Sequence, residues 1–304
     1  LSDQESAPVK TETAFDPNER ITVIDFQPES YDAYPPASRA WMDGRVVNLH
    51  RDREAVAHSL ALFPYISGRL RPKAGCGVDV AGTLRELLSP RNVVIDQIEL
   101  SPLKLPLGTR TASLCDGSYR SAAMLETSEH DLVFRLSESA YTTLISPRNV
   151  VVSSNFGLFA QGKGQLTAML PAIAAAVMFA GDLGISRLLL PVHSLTGMET
   201  DLLRRLTAVL AAVNLSVHCP LLAMDFTALA GSLPSPSTLQ MFLAERHEHS
   251  RSPEDLADFW FAHLLSAHVA GIADTVAQAA ERLKAFYHAG HDFSPQENDL
   301  IRSL

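Results

Sequence analysis

The chain has 304 residues, 46% of them hydrophobic and 19% charged, with a formal net charge of −9. That composition excludes a largely disordered chain and lacks the broad positive field of a nucleic-acid binder, leaving open only a local basic groove. The three cysteines, Cys76, Cys115 and Cys219, are scattered and odd in number, which excludes a disulfide framework and fits a reducing cytoplasm.

Residues 1–20 are polar, charged and without period, and read as a disordered arm. Residues 21–26, ITVIDF, form the first expected strand. The stretch 27–36, rich in proline and tyrosine, reads as a covering loop. A second strand is expected at 45–49. A helix is expected over 53–62, where Ala55, Val56, Leu60 and Ala61 share a face. Arg69, Arg71 and Lys73 make the loop at 68–77 basic, read as a solvated surface rather than an anion site. A short helix over 80–88 stops before Pro90. LLSPRNVVI at 87–95 and LISPRNVVV at 144–152 read as two uses of one turn into a strand. Between them, 93–100, 113–125 and 132–136 read as strands, with Asp116-Gly117 as a turn signal.

From Asn149 the pattern becomes regular. A β-branched run enters a glycine-rich loop, and a helix apolar nearly all round is expected over 166–181, buried between layers. Its apolar run, 168–181, is too short to span a bilayer. A near-continuous apolar strand follows at 187–192. Thr196-Gly197-Met198-Glu199 has the pattern of a capping box. Leu202, Leu206, Val209 and Leu210 then share one helical face, Asn214 ends that helix, and 215–219 is the next strand. Strand–helix–strand–helix–strand is the signature of a parallel sheet with crossovers. After the linker at 232–237 the chain reads as helical. One long helix, in which Gly271 marks a kink or a close packing contact, stops near Gly290, and a short one starts at Ser294.

The expected fold class is therefore α/β. A mostly parallel sheet with crossover helices occupies 149–231, a mixed, β-rich part covers 21–148, and a helical part at 237–304 packs on the core.

Chemistry is hinted at in two places. Gly157-x-x-x-x-Gly162-Lys163 has the spacing of a phosphate loop, set between a strand and a helix. Glycine lets backbone N–H groups close round an anion, and the helix start adds its dipole. The next residue should be Ser or Thr to hold magnesium, but it is Gly164, and no aspartate-ended partner strand follows. An anion pocket from Gly157, Gly162, Lys163 and Gly164 and a loop that merely serves packing are the readings left. The second place is the C-terminal ends of two neighbouring expected strands, which carry His193 and His218, with Asp225 as a polar partner. Open α/β sheets hold their sites at such ends. The alternative is that these histidines only bond to loops. The 11 histidines give no chelating spacing, so no metal site is assigned, and no cofactor is specified.

The stretch 162–228 resembles the C-terminal half of 7-cyano-7-deazaguanine synthases, in the PP-loop ATP pyrophosphatase superfamily. The resemblance rests on Gly162-Lys163-Gly164-Gln165, an Ala-rich helix, a hydrophobic strand, an amphipathic helix, and Val217-His218-Cys219-Pro220-Leu221-Leu222-Ala223-Met224-Asp225 in place of the family's strand and TPL-hydrophobic-D turn. The SGGxDS loop that binds ATP pyrophosphate in the family is absent, and so is its four-cysteine zinc site. The resemblance thus implies a repurposed member without the family's ATP chemistry.

Two functions are carried forward. One is a cytoplasmic small-molecule enzyme or binding protein for a phosphate- or nucleotide-like ligand, with no nucleic-acid or membrane partner. The other is a non-catalytic scaffold that dimerises or docks a partner through its C-terminal helices, using Phe259, Trp260 and Phe286.

Overall fold

The computed structural model describes residues 9–28, 33–89, 91–138, 143–160, 164–235, 238–239, 257–291, 293 and 295–303. The chain opens on β1 (Val9–Asp16), β2 (Ile21–Gln27) and β3 (Arg39–Asp43). Next come α1 (Arg51–Ala61), β4 (Arg69–Pro72), β5 (Cys76–Gly77), α2 (Val78–Leu87), β6 (Val94–Ile95) and β7 (Ile98–Glu99). They build a five-stranded sheet in the order β3-β2-β1-β4-β6 and a small β5-β7 pair.

The arm expected over 1–20 is corrected from Val9 onward. β1 is the middle strand of the first sheet, antiparallel to β2 and parallel to β4. Val9 and Thr11 are buried and Lys10 between them is exposed, so a two-residue period lay hidden among charges. The strand expected at 45–49 is also corrected, since the third strand is β3, earlier in the chain. The Asp182 carboxylate accepts from the backbone N–H groups of Val47 at 2.9 Å and Asn48 at 2.8 Å, which engages this segment away from any sheet. The Asn48 carbonyl comes within 2.2 Å of where a Cβ on Gly181 would stand, so glycine is what lets the two segments approach.

The second sheet is made by β8 (Arg110–Cys115), α3 (Tyr119–Thr127), β9 (Leu132–Ser137), β10 (Leu144–Ile145), β11 (Asn149–Ser153), α4 (Gln165–Leu183), β12 (Ile185–Leu189), α5 (Gly197–Ala211) and β13 (Ser216–His218). Its order is β10-β11-β9-β8-β12-β13, and every neighbouring pair is parallel except β10 with β11. Counted from β8, the parallel strands run 3-2-1-4-5, the doubly wound order.

The parallel sheet therefore starts at Arg110, not at 149, and its centre comes from residues assigned to the mixed part. The stretch 113–125 is a strand only as far as Cys115. Gly117, at φ 75°, turns the chain, and Ser118 caps α3 by accepting from the Ser121 N–H at 3.3 Å.

Helices cover both faces. α4 and α5 share one continuous apolar core with α1, α2 and the first sheet. On the other face a second core joins α3 to α6 (Phe226–Gly231), α7 (Ala257–Ala270), α8 (Ala273–His288) and α9 (Pro295–Ser303). The single long helix expected here is broken rather than kinked, because Gly271 takes a left-handed φ of 69° between α7 and α8. α4, with 19 residues, is longer than its apolar run and would pass for a membrane span by length and composition; 72% of its apolar window is buried within the protein. It lies against α1.

α1 is buried on nearly every side, including Asp52, Arg53, Glu54 and His58. Each of these four residues has a hydrogen-bond partner remote in the chain. The two ring nitrogens of His58 bond the hydroxyls of Thr11 and Thr13, both at 2.8 Å, and Glu54 accepts from the Thr13 N–H at 3.1 Å. Burial drives the His58 pKa from about 6.5 down to about 3. The sign follows by linkage. The unfolded chain takes the proton first, so the contribution of neutral His58 is whole above pH 6.5 and is lost as pH falls towards 3. Glu54 works the other way: burial raises its pKa, so its contribution is present at low pH and lost as pH rises through the raised value. Urea midpoints measured between pH 7 and 4 should fall with acid, at up to about 1.4 kcal/mol per pH unit from His58. The fall should be shallower in a His58→Gln variant; equal slopes in both proteins would refute the assignment.

Candidate functional site

The strand order reverses between β8 and β12, and the crevice beyond their C-terminal ends is where this fold class places ligands. Two turns meet there. After β8, the Asp116 carboxylate accepts from the Ser118 N–H at 2.9 Å and from the hydroxyls of Ser118 and Ser121, both at 2.6 Å. The carboxylate thus fills the turn that begins α3. After β12, the chain runs extended to His193 and Ser194. The Gln165 side-chain carbonyl accepts from their N–H groups at 2.9 and 3.3 Å, tying this loop to the start of α4.

His193 is 3% exposed. Its Nε2 donates to the Met224 carbonyl at 2.9 Å, and its ring lies 5.0 Å from that of Phe226. A carbonyl can only accept, so Nε2 carries the proton. Burial lowers the pKa of His193, with the Met224 bond opposing, and the neutral ring leaves Nδ1 a lone pair without a partner. Asp225 caps α6, accepting from the Ala228 N–H at 2.7 Å. His193, Met224, Asp225, Phe226, Asp299 and Leu300 are among the walls of an open cleft of about 630 Å³. Two of the residues named from sequence, His193 and Asp225, are thus brought together. His218 is not. It lies exposed on the edge strand β13, in register with Leu189, and is no part of the cleft wall.

The glycine loop is divided by the structure. Gly162 and Lys163 lie outside the described residues. Gly157 sits in a 3₁₀ turn after β11, two strands from β8, with Glu138 against it. Gly164 caps α4, and the first turn of that helix already holds an anion from this chain. Oε1 of Glu199 accepts from the N–H groups of Leu166 at 2.8 Å and Thr167 at 3.3 Å. Oε2 accepts from the Thr196 N–H at 3.2 Å and completes the capping box of α5. A Cβ on residue 164 would stand 2.0 Å from Oε1. Glycine is found where a phosphate loop has Ser or Thr because the Glu199 carboxylate takes that space.

Sequence reasoning missed the polar group beside the cleft. The Tyr119 hydroxyl donates to Oε1 of Glu297, and Nη1 of Arg120 donates to the same oxygen at 3.0 Å. Tyr119 is fully buried, and burial raises its pKa well above the ordinary value. The available signal was Ser118 followed by Ala122, Ala123 and Met124, a capped helix concealed in a stretch read as a strand.

The thiols are poor nucleophiles: burial pushes Cys76 and Cys115 up to about 11 and Cys219 to about 12. Among the described residues no group of three or more His, Cys, Asp or Glu side chains is placed to hold a metal ion. Glu245, His247 and His249, close together in the sequence, lie outside the described residues. No family model, no curated protein and no solved structure matches the chain.

Proposed function

We propose that the chain binds a small, nitrogen-rich ring compound of the nucleobase type in the cleft between His193, Asp225 and α9. One observation carries this reading. The cleft is walled by the segments that follow the C-terminal ends of β12 and β13, and the polar side chains among its described walls, His193, Asp225 and Asp299, offer lone pairs and negative charge. Such a wall suits the N–H groups of an amino-substituted heterocycle and repels phosphate. Phe226 and Leu300 add apolar surface for a flat ring.

The resemblance to deazaguanine synthases is compatible with this reading, since the resembling stretch supplies α4, β12, α5, β13 and the turn that lines the cleft. Residues 116–121, DGSYRS, keep only the glycine and the final serine of the SGGxDS pattern, so a phosphate-binding role is not carried over. The scaffold reading is disfavoured for Phe259 and Trp260, which are buried in the second core, while Phe286 is half-buried against it.

A thermal-shift comparison of guanine, guanosine and GTP tests the proposal. A ligand at a hundred times its Kd stabilises by about 2.7 kcal/mol, which is several degrees in Tm. Guanine should give that shift. In Asp225→Asn, which keeps the cap on α6, the affinity should fall about tenfold with the unliganded Tm preserved. No shift with any purine would sink the reading. A shift that needs the phosphates and disappears in Lys163→Ala would favour an anion pocket at the glycine loop instead.

A further inference from the structure

We propose that α9 is a strap that opens and closes the cleft, with Glu297 as its latch. This rests on the cleft being the ligand site. α9 contributes Asp299 and Leu300 to the cleft wall, so its position sets the shape of the site. One turn away, its Glu297 accepts from Tyr119 and Arg120 on the first turn of α3. The two halves of this contact are 177 residues apart in the chain.

The attachment of α9 is narrow. Ile301, 2% exposed, is its buried apolar anchor, and Asp299 and Arg302 are exposed. Arg302 donates to the Tyr287 hydroxyl at 3.0 Å at the surface. A buried ion pair adds little net stability, since desolvation offsets most of its attraction, although it fixes one arrangement over others. Among the described side chains of α9, Ile301 and the half-buried Leu300 pack on the second core, and with the Glu297 pair they oppose the ordering of nine residues. Elements held this way open locally, well below the free energy of global unfolding. Opening would remove one wall of the cleft and uncover Arg120, whose Nε already lacks a partner.

Hydrogen exchange on the whole chain is the test. In the unaltered protein, α9 amides should exchange at least about 100-fold faster than those of β8 and β12. Glu297→Gln should speed α9 about tenfold more without changing the two strands, and phenylglyoxal should modify Arg120 faster in that variant. Ile301→Ala, which leaves the latch intact, should also speed α9 alone. Bound guanine should slow α9. Exchange of α9 in step with β8 and β12 in the unaltered protein would overturn the strap. So would guanine binding with α9 exchange unchanged. If α9 opens as described but guanine does not bind, the strap stands and the ligand reading falls.

Discussion

Arg53→Ala should destabilise the protein by on the order of 4 kcal/mol, the largest loss expected from a single change in α1. Arg53 is 1% exposed and heads the largest fully buried side chains. Its Nη2 donates to the Pro106 carbonyl at 2.9 Å, and its Nε donates to the Val213 carbonyl at 3.3 Å, just past the end of α5. A cation at that place also meets the negative end of the helix dipole. Among the described residues no carboxylate bonds it and Nη1 has no partner, and burial lowers its pKa. The charge is thus a burden, and what would be lost is chiefly volume and the two carbonyl contacts. Arg53→Met separates these terms. Methionine refills most of the cavity, so its cost should be about 1–2 kcal/mol, for the two carbonyls left without donors. Urea midpoints at pH 7 measure both. Equal losses in the two variants would mean that the guanidinium, not its volume, holds the helices.

Arg53 also shows what could be read ahead of the structure. The sequence placed a helix after residue 50 and an apolar face on it, because Ala55, Val56, Leu60 and Ala61 recur at helical spacing. It could not show that the polar face is buried as well. The partners of Arg53, Glu54 and His58 come from β1, the 106 loop and the end of α5, all remote in the chain. The strand–helix–strand run of α4, β12, α5 and β13 was legible because its elements are long, apolar and capped. β1 and α3 were not, since both mix charge or hydroxyls into short periods and owe their state to pairing and capping across the fold. The site was legible in part. Strand-end position singled out His193, which lines the cleft beside Asp225, its suggested polar partner, but the same rule picked His218, which the edge of the sheet leaves in solvent. Tyr119, Arg120 and Glu297 could not be joined without the fold, since no local pattern links residues 177 positions apart.

Glu199→Ala is the second large effect, expected at about 3 kcal/mol. The carboxylate satisfies first-turn N–H groups of α4 and the Thr196 N–H at the start of α5, and it is 5% exposed. Its removal leaves those donors buried without an acceptor and takes a negative charge away from the positive ends of two helices. Glu199→Gln retains one acceptor oxygen and should lose roughly half as much. Gly164→Ala tests the same contact from the other side. Residue 164 has φ −94° and ψ 146°, which alanine adopts freely, so any cost must come from the Cβ that would stand 2.0 Å from Oε1. In the unaltered background Gly164→Ala should cost about 1–2 kcal/mol by displacing the carboxylate. In the Glu199→Ala background the space is vacant, and the same change should cost less than about 0.5 kcal/mol. A double-mutant cycle on urea midpoints reads the difference. Strict additivity would show that the glycine serves the loop alone. Coupling would show that what looks in sequence like a damaged phosphate loop is an intact carboxylate site, filled by the chain itself.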